Sequence, residues 1–238
     1  MFEEQRDHEA PTTTTGGGVQ QRFVVRASLV GVGATPADPD HARGNYSRSK
    51  AMAEQLALSA DGDGFSVVAI RPHLVWGPGD TQLIGRIVER ARSGRLVLID
   101  GGTALIDTTY VDNAAAALVV AVEQLTAGGA LAGNAFVVSN GEPLPVRALL
   151  EQICTAAGAA PPARDLPLGL ARTLAAAAEH LWARRRPEED PPATRFLVDQ
   201  LALAHWFDPR PFREATGWRP AVTLAEGMRR LSAFYQVP

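Results

Sequence analysis

The spacing of hydrophobic positions changes repeatedly along this chain, and each change marks an element. Phe65-Ser66-Val67-Val68-Ala69-Ile70 is an almost unbroken apolar, β-branched run, the pattern of a strand covered on both faces of a parallel sheet. Arg71-Pro72 is expected to stop that strand, and Gly77-Pro78-Gly79-Asp80 to turn the chain. Over residues 82–92 the period becomes helical, with Leu83, Ile84, Ile87, Val88 and Ala91 forming one stripe. Short strands are predicted at 96–99 and 135–138, and an earlier one from Phe23 through Val30. Helices are predicted over 113–125, with Asp112 as cap, and over 145–157, with proline at the start. Two more follow at about 166–184 and 194–203, and a final amphipathic helix after Thr223-Leu224. Apolar strands alternating with helices define an α/β protein with a parallel sheet.

Composition narrows the class. The chain has 238 residues, enough for one domain with a real core or for a domain with a smaller appendage. A net charge of -3 gives no argument for nucleic acid or an anionic membrane as partner. A single cysteine, Cys154, excludes an internal disulfide and fits a reducing, cytoplasmic setting. The N-terminus carries Glu3, Glu4, Asp7 and Glu9 without an apolar core, so no signal peptide is read there, and no stretch reads as a transmembrane span. No cluster of His, Cys and carboxylates has metal-ligand spacing. Residues 1–20, with their threonine and glycine runs, read as disordered, and prolines punctuate a mainly helical region from Pro161 onward.

The candidate chemistry lies in Asn45-Tyr46-Ser47-Arg48-Ser49-Lys50. Asn45 is a plausible N-cap, and Ala, Met, Glu, Gln and Leu follow as strong helix formers. Tyr46 and Lys50, four apart, then share one helix face. An ammonium beside a phenol favours the phenolate and draws its pKa down from roughly 10. Such a tyrosine can exchange a proton with a carbonyl or alcohol oxygen while a cofactor carries hydride. The competing structural reading pairs Lys50 with Glu54 on a solvated face and lets Tyr46 merely pack.

The Tyr-x-x-x-Lys helix, the apolar strand, and Arg71-Pro72 followed by Gly77-Pro78-Gly79-Asp80 together resemble the extended short-chain dehydrogenase/reductase superfamily. Ile106-Asp107-Thr108-Thr109-Tyr110-Val111-Asp112-Asn113 continues the likeness, which is closest to the 3β-hydroxysteroid dehydrogenase-like branch. Ser139 through Pro145, Thr194 through Val198 and His205-Trp206 resemble the bacterial 2-alkyl-3-oxoalkanoate (β-keto acid) reductases within it. The resemblance implies a partial Rossmann-like parallel sheet over 21–160 and a mainly helical substrate lobe over 161–238. It implies an NAD(P)-dependent oxidoreductase that interconverts a hydroxyl and a ketone on a hydrophobic, steroid-like or β-keto acid substrate. Tyr46 would be the proton donor, and Lys50 would lower its pKa and bond the nicotinamide ribose. A catalytic serine or threonine belongs near Ser28, although ungapped comparison puts that position at Leu29, which faces the other side of a strand. Pro72, His73, Leu74 and Val75 would line the nicotinamide. For His73 the competing reading is a partly exposed loop histidine, and Asp107 would stand near the substrate entrance or serve a turn.

Two glycine clusters, Gly16-Gly17-Gly18 and Gly31-Val32-Gly33, do not read as the phosphate-cradling turn of a dinucleotide fold. Neither combines a preceding strand with a following helix, and Pro36 and Pro39 break any helix after the second. The expectation is that the first, glycine-bearing half of the family fold is not in this chain. NAD or NADP would then bind weakly or not at all to the chain alone, which would self-associate or take up a complementing N-terminal half. A non-catalytic binding module of the same fold, or a sugar-nucleotide epimerase or dehydratase, are the alternative readings.

Overall fold

The structure, a computed structural model, describes residues 38–40, 45–62, 64–185 and 194–236. Helix α1 (Asn45–Ser59) opens with Asn45 as its first helical residue. Asp61 ends the connection after it by accepting the Val67 backbone N–H at 2.7 Å, which aims the chain into β1 (Val68–Pro72). The strand begins later and ends later than its apolar run suggests. Phe65 stays exposed, and the ladder continues through Arg71 to Pro72. Proline is tolerated there because it is the last residue of the strand, and the next backbone N–H, of His73, donates to Val138 at 3.0 Å.

β2 (Val75–Trp76) leads to α2 (Ile84–Arg92), which starts two residues after its expected beginning. The Asp80 carboxylate gathers the N–H groups of Gln82, Leu83 and Ile84 at 2.7–3.3 Å, satisfying donors that the first helical turn leaves free. There follow β3 (Val97–Ile99), a 3₁₀ turn at Asp100–Gly102, β4 (Leu105–Ile106), β5 (Thr109–Tyr110) and α3 (Val111–Gln124). Asp112 is not the cap of α3. It lies in the first helical turn, where its charge suits the helix dipole, and pairs with Arg230 at 2.9 Å.

The chain continues through β6 (Asn134–Val138), β7 (Leu144–Pro145), α4 (Val146–Ala156) and β8 (Arg164–Leu166). Helices α5 (Leu168–Arg185), α6 (Arg195–Ala202), α7 (Arg210–Thr216) and α8 (Leu224–Gln236) complete it. β8 is a correction to the sequence reading, which put Leu166 at the head of a helix. Arg-Asp-Leu has no apolar run, and the strand exists because Leu166 pairs with Ile99.

β1 and β6 run parallel, from Val68 opposite Asn134 to Pro72 opposite Val138. β2 with β5 and β3 with β8 are parallel pairs, whereas β4 and β7 are antiparallel. Among the described residues β6 is the only strand beside β1, and every residue of β1 is only half-buried. The strand expected near Phe23 lies outside the described residues. Three apolar clusters hold the rest. The largest brings Trp76, Ile84, Val88, Tyr110, Leu149, Ile153 and Leu231 under α2, α4 and α8. Phe136, Phe212 and Trp218 join α7 to β6, and Ile99, Ala171, Ala175 and Val198 hold α5 and α6 on β3.

Candidate active site

Helix α1 carries Tyr46 and Lys50 one turn apart, as their spacing requires. The Tyr46 side chain lies outside the described residues, and Lys50 is exposed. One turn further, Glu54 accepts from Arg71 in a two-pronged ion pair, with Nε at 2.6 Å and Nη2 on the second oxygen. The Glu54 side chain is only 13% exposed, so this planar contact ties the helix to the strand it packs on. Glu54 is thus a structural clasp reaching into β1. Ser28 and Leu29, the candidate hydroxyl and its neighbour, both lie outside the described residues, as do both glycine clusters.

Pro72 is the carboxyl end of β1, and His73, Leu74 and Val75 follow it in order. Leu74 adopts a positive φ of 43°, a conformation uncommon for a side chain with a Cβ, and it bends the chain from β1 into β2. The bend is fixed from below: the Thr109 N–H donates to the Leu74 carbonyl at 3.2 Å, and the Thr109 hydroxyl to that of His73 at 2.7 Å. Val75 is exposed at the surface, and Trp76 returns to the core with its indole N–H on the Thr108 hydroxyl at 2.9 Å.

His73 is more than a loop histidine. Its Nε2 lies 3.1 Å from Nδ1 of His205, and its ring meets Phe207 edge-on at 4.6 Å between centroids. His205 is 2% exposed and its Nε2 is 2.5 Å from the Gln200 carbonyl. A carbonyl can only accept, so Nε2 of His205 carries the proton and Nδ1 the lone pair. The bond between the rings therefore runs from His73 Nε2–H to His205 Nδ1. Burial, and then the neighbouring His205, lower the His73 pKa to about 3, and burial lowers that of His205 as well. Both rings are neutral at pH 7.

A buried polar hub supports this end of the sheet. Asp107 is 1% exposed, accepts from the Ser139 hydroxyl at 2.6 Å and from the Thr108 N–H at 2.7 Å, and serves a turn. Burial raises its pKa, against the pull of those hydrogen bonds. Asn113 accepts from the N–H groups of Ala221 and Val222, each at 3.0 Å, and donates to the Val222 carbonyl at 2.7 Å. Asn140 accepts from the Tyr110 N–H at 3.1 Å, and Glu142 accepts the Leu224 N–H at 3.0 Å at the start of α8. The sequence pattern marks Ser139-Asn140-Gly141 and His205-Trp206 as family motifs and gives them no role. Their work depends on partners 27 to 132 residues away, a separation no local pattern reports. Among the described residues no group of three or more His, Cys, Asp and Glu could hold a metal ion, and no helix is long and apolar enough to cross a membrane.

Parallel β–α units with the tyrosine–lysine helix beside them and a loop cluster off the strand ends define a Rossmann-type fold, and comparison with solved structures agrees. The structure called gox2253 superposes with a TM-score of 0.62 at 22% identity, covering 85% of this chain and 59% of that one. RMD from Pseudomonas aeruginosa, complexed with NADPH, gives 0.54 at 20% identity over 83% of this chain and 57% of that one. The dTDP-glucose 4,6-dehydratase of Bacillus anthracis, in complex with NAD, gives 0.54 at 18% identity over 92% and 57%. At these identities the likeness concerns the fold.

Sequence comparison is more specific. Residues 30–168 match the 3-beta hydroxysteroid dehydrogenase/isomerase family, and the chain belongs to that family. The 2-alkyl-3-oxoalkanoate reductase of Stenotrophomonas maltophilia is 46% identical over 188 residues, which are 79% of this chain and 57% of the relative. That of Shewanella oneidensis is 36% identical over 196 residues, 79% of this chain and 51% of the relative. The decarboxylating sterol-4-alpha-carboxylate 3-dehydrogenase of Mus musculus is 31% identical over 190 residues, 78% and 52% respectively. The chain thus spans about half the length of the curated relatives it matches.

Proposed function

We propose that this chain carries the proton-transfer half of an NAD(P)-dependent reductase that interconverts a ketone and a hydroxyl on a hydrophobic β-keto acid. The observation that carries this reading is the placement of Tyr46 and Lys50 one turn apart on α1, the helix held to β1, whose carboxyl end leads into Pro72–Val75. In open α/β sheets ligands bind off that end of the strands. In reduction, Tyr46 would deliver its phenolic proton to the carbonyl oxygen of the ketone. Lys50 would hold the phenol acidic and bond the nicotinamide ribose, the backbone at Pro72, His73, Leu74 and Val75 would line the nicotinamide, and Ser28 would orient the substrate oxygen. The cofactor supplies the hydride. α5 and α6, in the region 161–238, form the substrate lobe. The β-keto acid is preferred to a sterol because the two reductases, at 46% and 36% identity, exceed the 31% of the sterol dehydrogenase.

The test is ketone reduction with NADPH and NADH on a 2-alkyl-3-oxo acid. The purified chain is assayed alone and mixed with the N-terminal half of the Stenotrophomonas maltophilia reductase. Turnover is expected in the mixture, and Tyr46→Phe should reduce it by about two orders of magnitude or more. Turnover indifferent to Tyr46→Phe would overturn the assignment. Cofactor binding in the mixture without turnover on any ketone would favour the non-catalytic binding module instead.

A further inference from the structure

The loop between α6 and α7 is held to the sheet by one histidine pair whose protons are fixed by geometry. The His205 backbone N–H donates to Leu105 at 2.9 Å, its Nε2–H is committed to the Gln200 carbonyl at 2.5 Å, and its Nδ1 lone pair receives Nε2–H of His73 at 3.1 Å. Phe207, two residues on, closes the His73 ring from the side. This set bridges the end of β1, where the chain turns toward β2, and the beginning of the α7 segment. We propose that His73 and His205 form an acid-released latch, closed while both rings are neutral, that holds the α6–α7 loop on the carboxyl end of β1.

The chemistry of release follows from the tautomers. A proton on Nδ1 of His73 leaves the ring-to-ring bond in place but puts a cation in an enclosed site. A single proton on Nδ1 of His205 can still be accepted by Nε2 of a neutral His73. Once both rings are protonated no acceptor is left, and two imidazolium rings with facing nitrogens 3.1 Å apart and centroids 5.2 Å apart repel. The charged groups on the surrounding elements are engaged with one another. Arg71 of β1 pairs with Glu54 of α1, Asp199 of α6 with Arg172 of α5, and Asp208 with Arg210. Arg213 of α7 donates to the carbonyls of Ser139 and Asn140, and Asp107 is held by Ser139. Asp107 is buried in its neutral-favouring direction, so acid relieves its strain and cannot open the latch. The sign for the histidines is the reverse. Their folded pKa values lie below the ordinary 6.5, so the closed state is fully favoured above pH 6.5 and loses ground as pH falls toward about 3.

Two measurements on the full chain test this. Nitrogen-15 NMR of the imidazoles at pH 7.5 should show His205 neutral with the proton on Nε2, and His73 neutral down to pH 5. Hydrogen exchange of the His205 amide, corrected for its intrinsic rate, should show the opening equilibrium rising about thirty-fold or more between pH 7.5 and pH 5. The double variant H73Q/H205Q keeps amide donors and acceptors but titrates at neither position, and its opening should be flat over that range. Imidazoles that titrate near 6.5 in the folded chain would overturn the latch, and so would a double variant with the pH dependence of the wild type.

Discussion

Asn113 shows how much one side chain can decide at the far side of the site. Its amide oxygen takes two backbone N–H groups of the segment before α8, and its nitrogen donates to Val222 and to Asn140, all at 2.7–3.0 Å in a residue 1% exposed. Removing it leaves buried donors and acceptors without partners, and each such loss costs about 1–3 kcal/mol. Asn113→Ala should therefore destabilise the protein by about 3 kcal/mol or more in urea unfolding, and a loss under about 1 kcal/mol would show that water replaces the amide. Histidine gives the opposite lesson. From sequence, His73 is read as nicotinamide-lining or as a partly exposed loop residue and His205 only as part of a family motif, and only their meeting gives them a fixed tautomer.

At the scale of elements, the close crossing of α8 over β2 and β5 rests on a missing side chain. A Cβ on Gly227 would stand 2.8 Å from Tyr110 Cδ2 and 3.0 Å from Trp76 Cη2, both ring atoms packed in the core. Alanine should gain about 1 kcal/mol from helix propensity but lose about 1–3 kcal/mol from overpacking. The packing term prevails because Trp76 is anchored by Thr108 and both rings are buried, each 2% exposed. Gly227→Ala is thus expected to lower the melting temperature, and a higher one would mean that α8 shifts freely along the core. The same helix donates its Leu224 N–H to the Glu142 carboxylate, on a loop more than eighty residues earlier in the chain, which ties α8 to the loop after β6.

At the scale of the molecule, apolar surface and cofactor affinity become one question. Met52 and Leu56 on α1, and Leu118, Val119 and Val122 on α3, are 47–75% exposed, and β1 is half-buried throughout. Apolar side chains exposed together along a helix face, on α1 and on α3, suit burial against another surface. The chain alone is expected to self-associate in light scattering and to bind NADH and NADPH no better than about millimolar. A lysine and a few backbone bonds, each worth about 1 kcal/mol, do not offset an association cost of roughly 4 kcal/mol or more. Mixing with the N-terminal half used in the activity assay should suppress association and bring saturable cofactor binding together. Micromolar binding by the chain alone would show instead that Gly16–Gly18 or Gly31–Gly33 cradles a phosphate.

What the sequence determined by itself is what local spacing encodes. The parallel α/β class, the helix bearing Tyr46 and Lys50, the stripe of α2 and the turn at Gly77-Pro78-Gly79-Asp80 all follow from period, turn residues and a family pattern. Strand ends were less legible: β1 continues through Arg71 and Pro72 because β6 offers it a ladder, and β8 exists only beside β3. The tertiary structure alone decided that Glu54 clasps Arg71, that Asp112 reaches Arg230 and caps nothing, and that His73 meets His205. The physical reason is common to all three. A hydrogen bond or ion pair is fixed by where two backbones cross, and residues 17, 118 and 132 positions apart leave no periodic trace of that crossing.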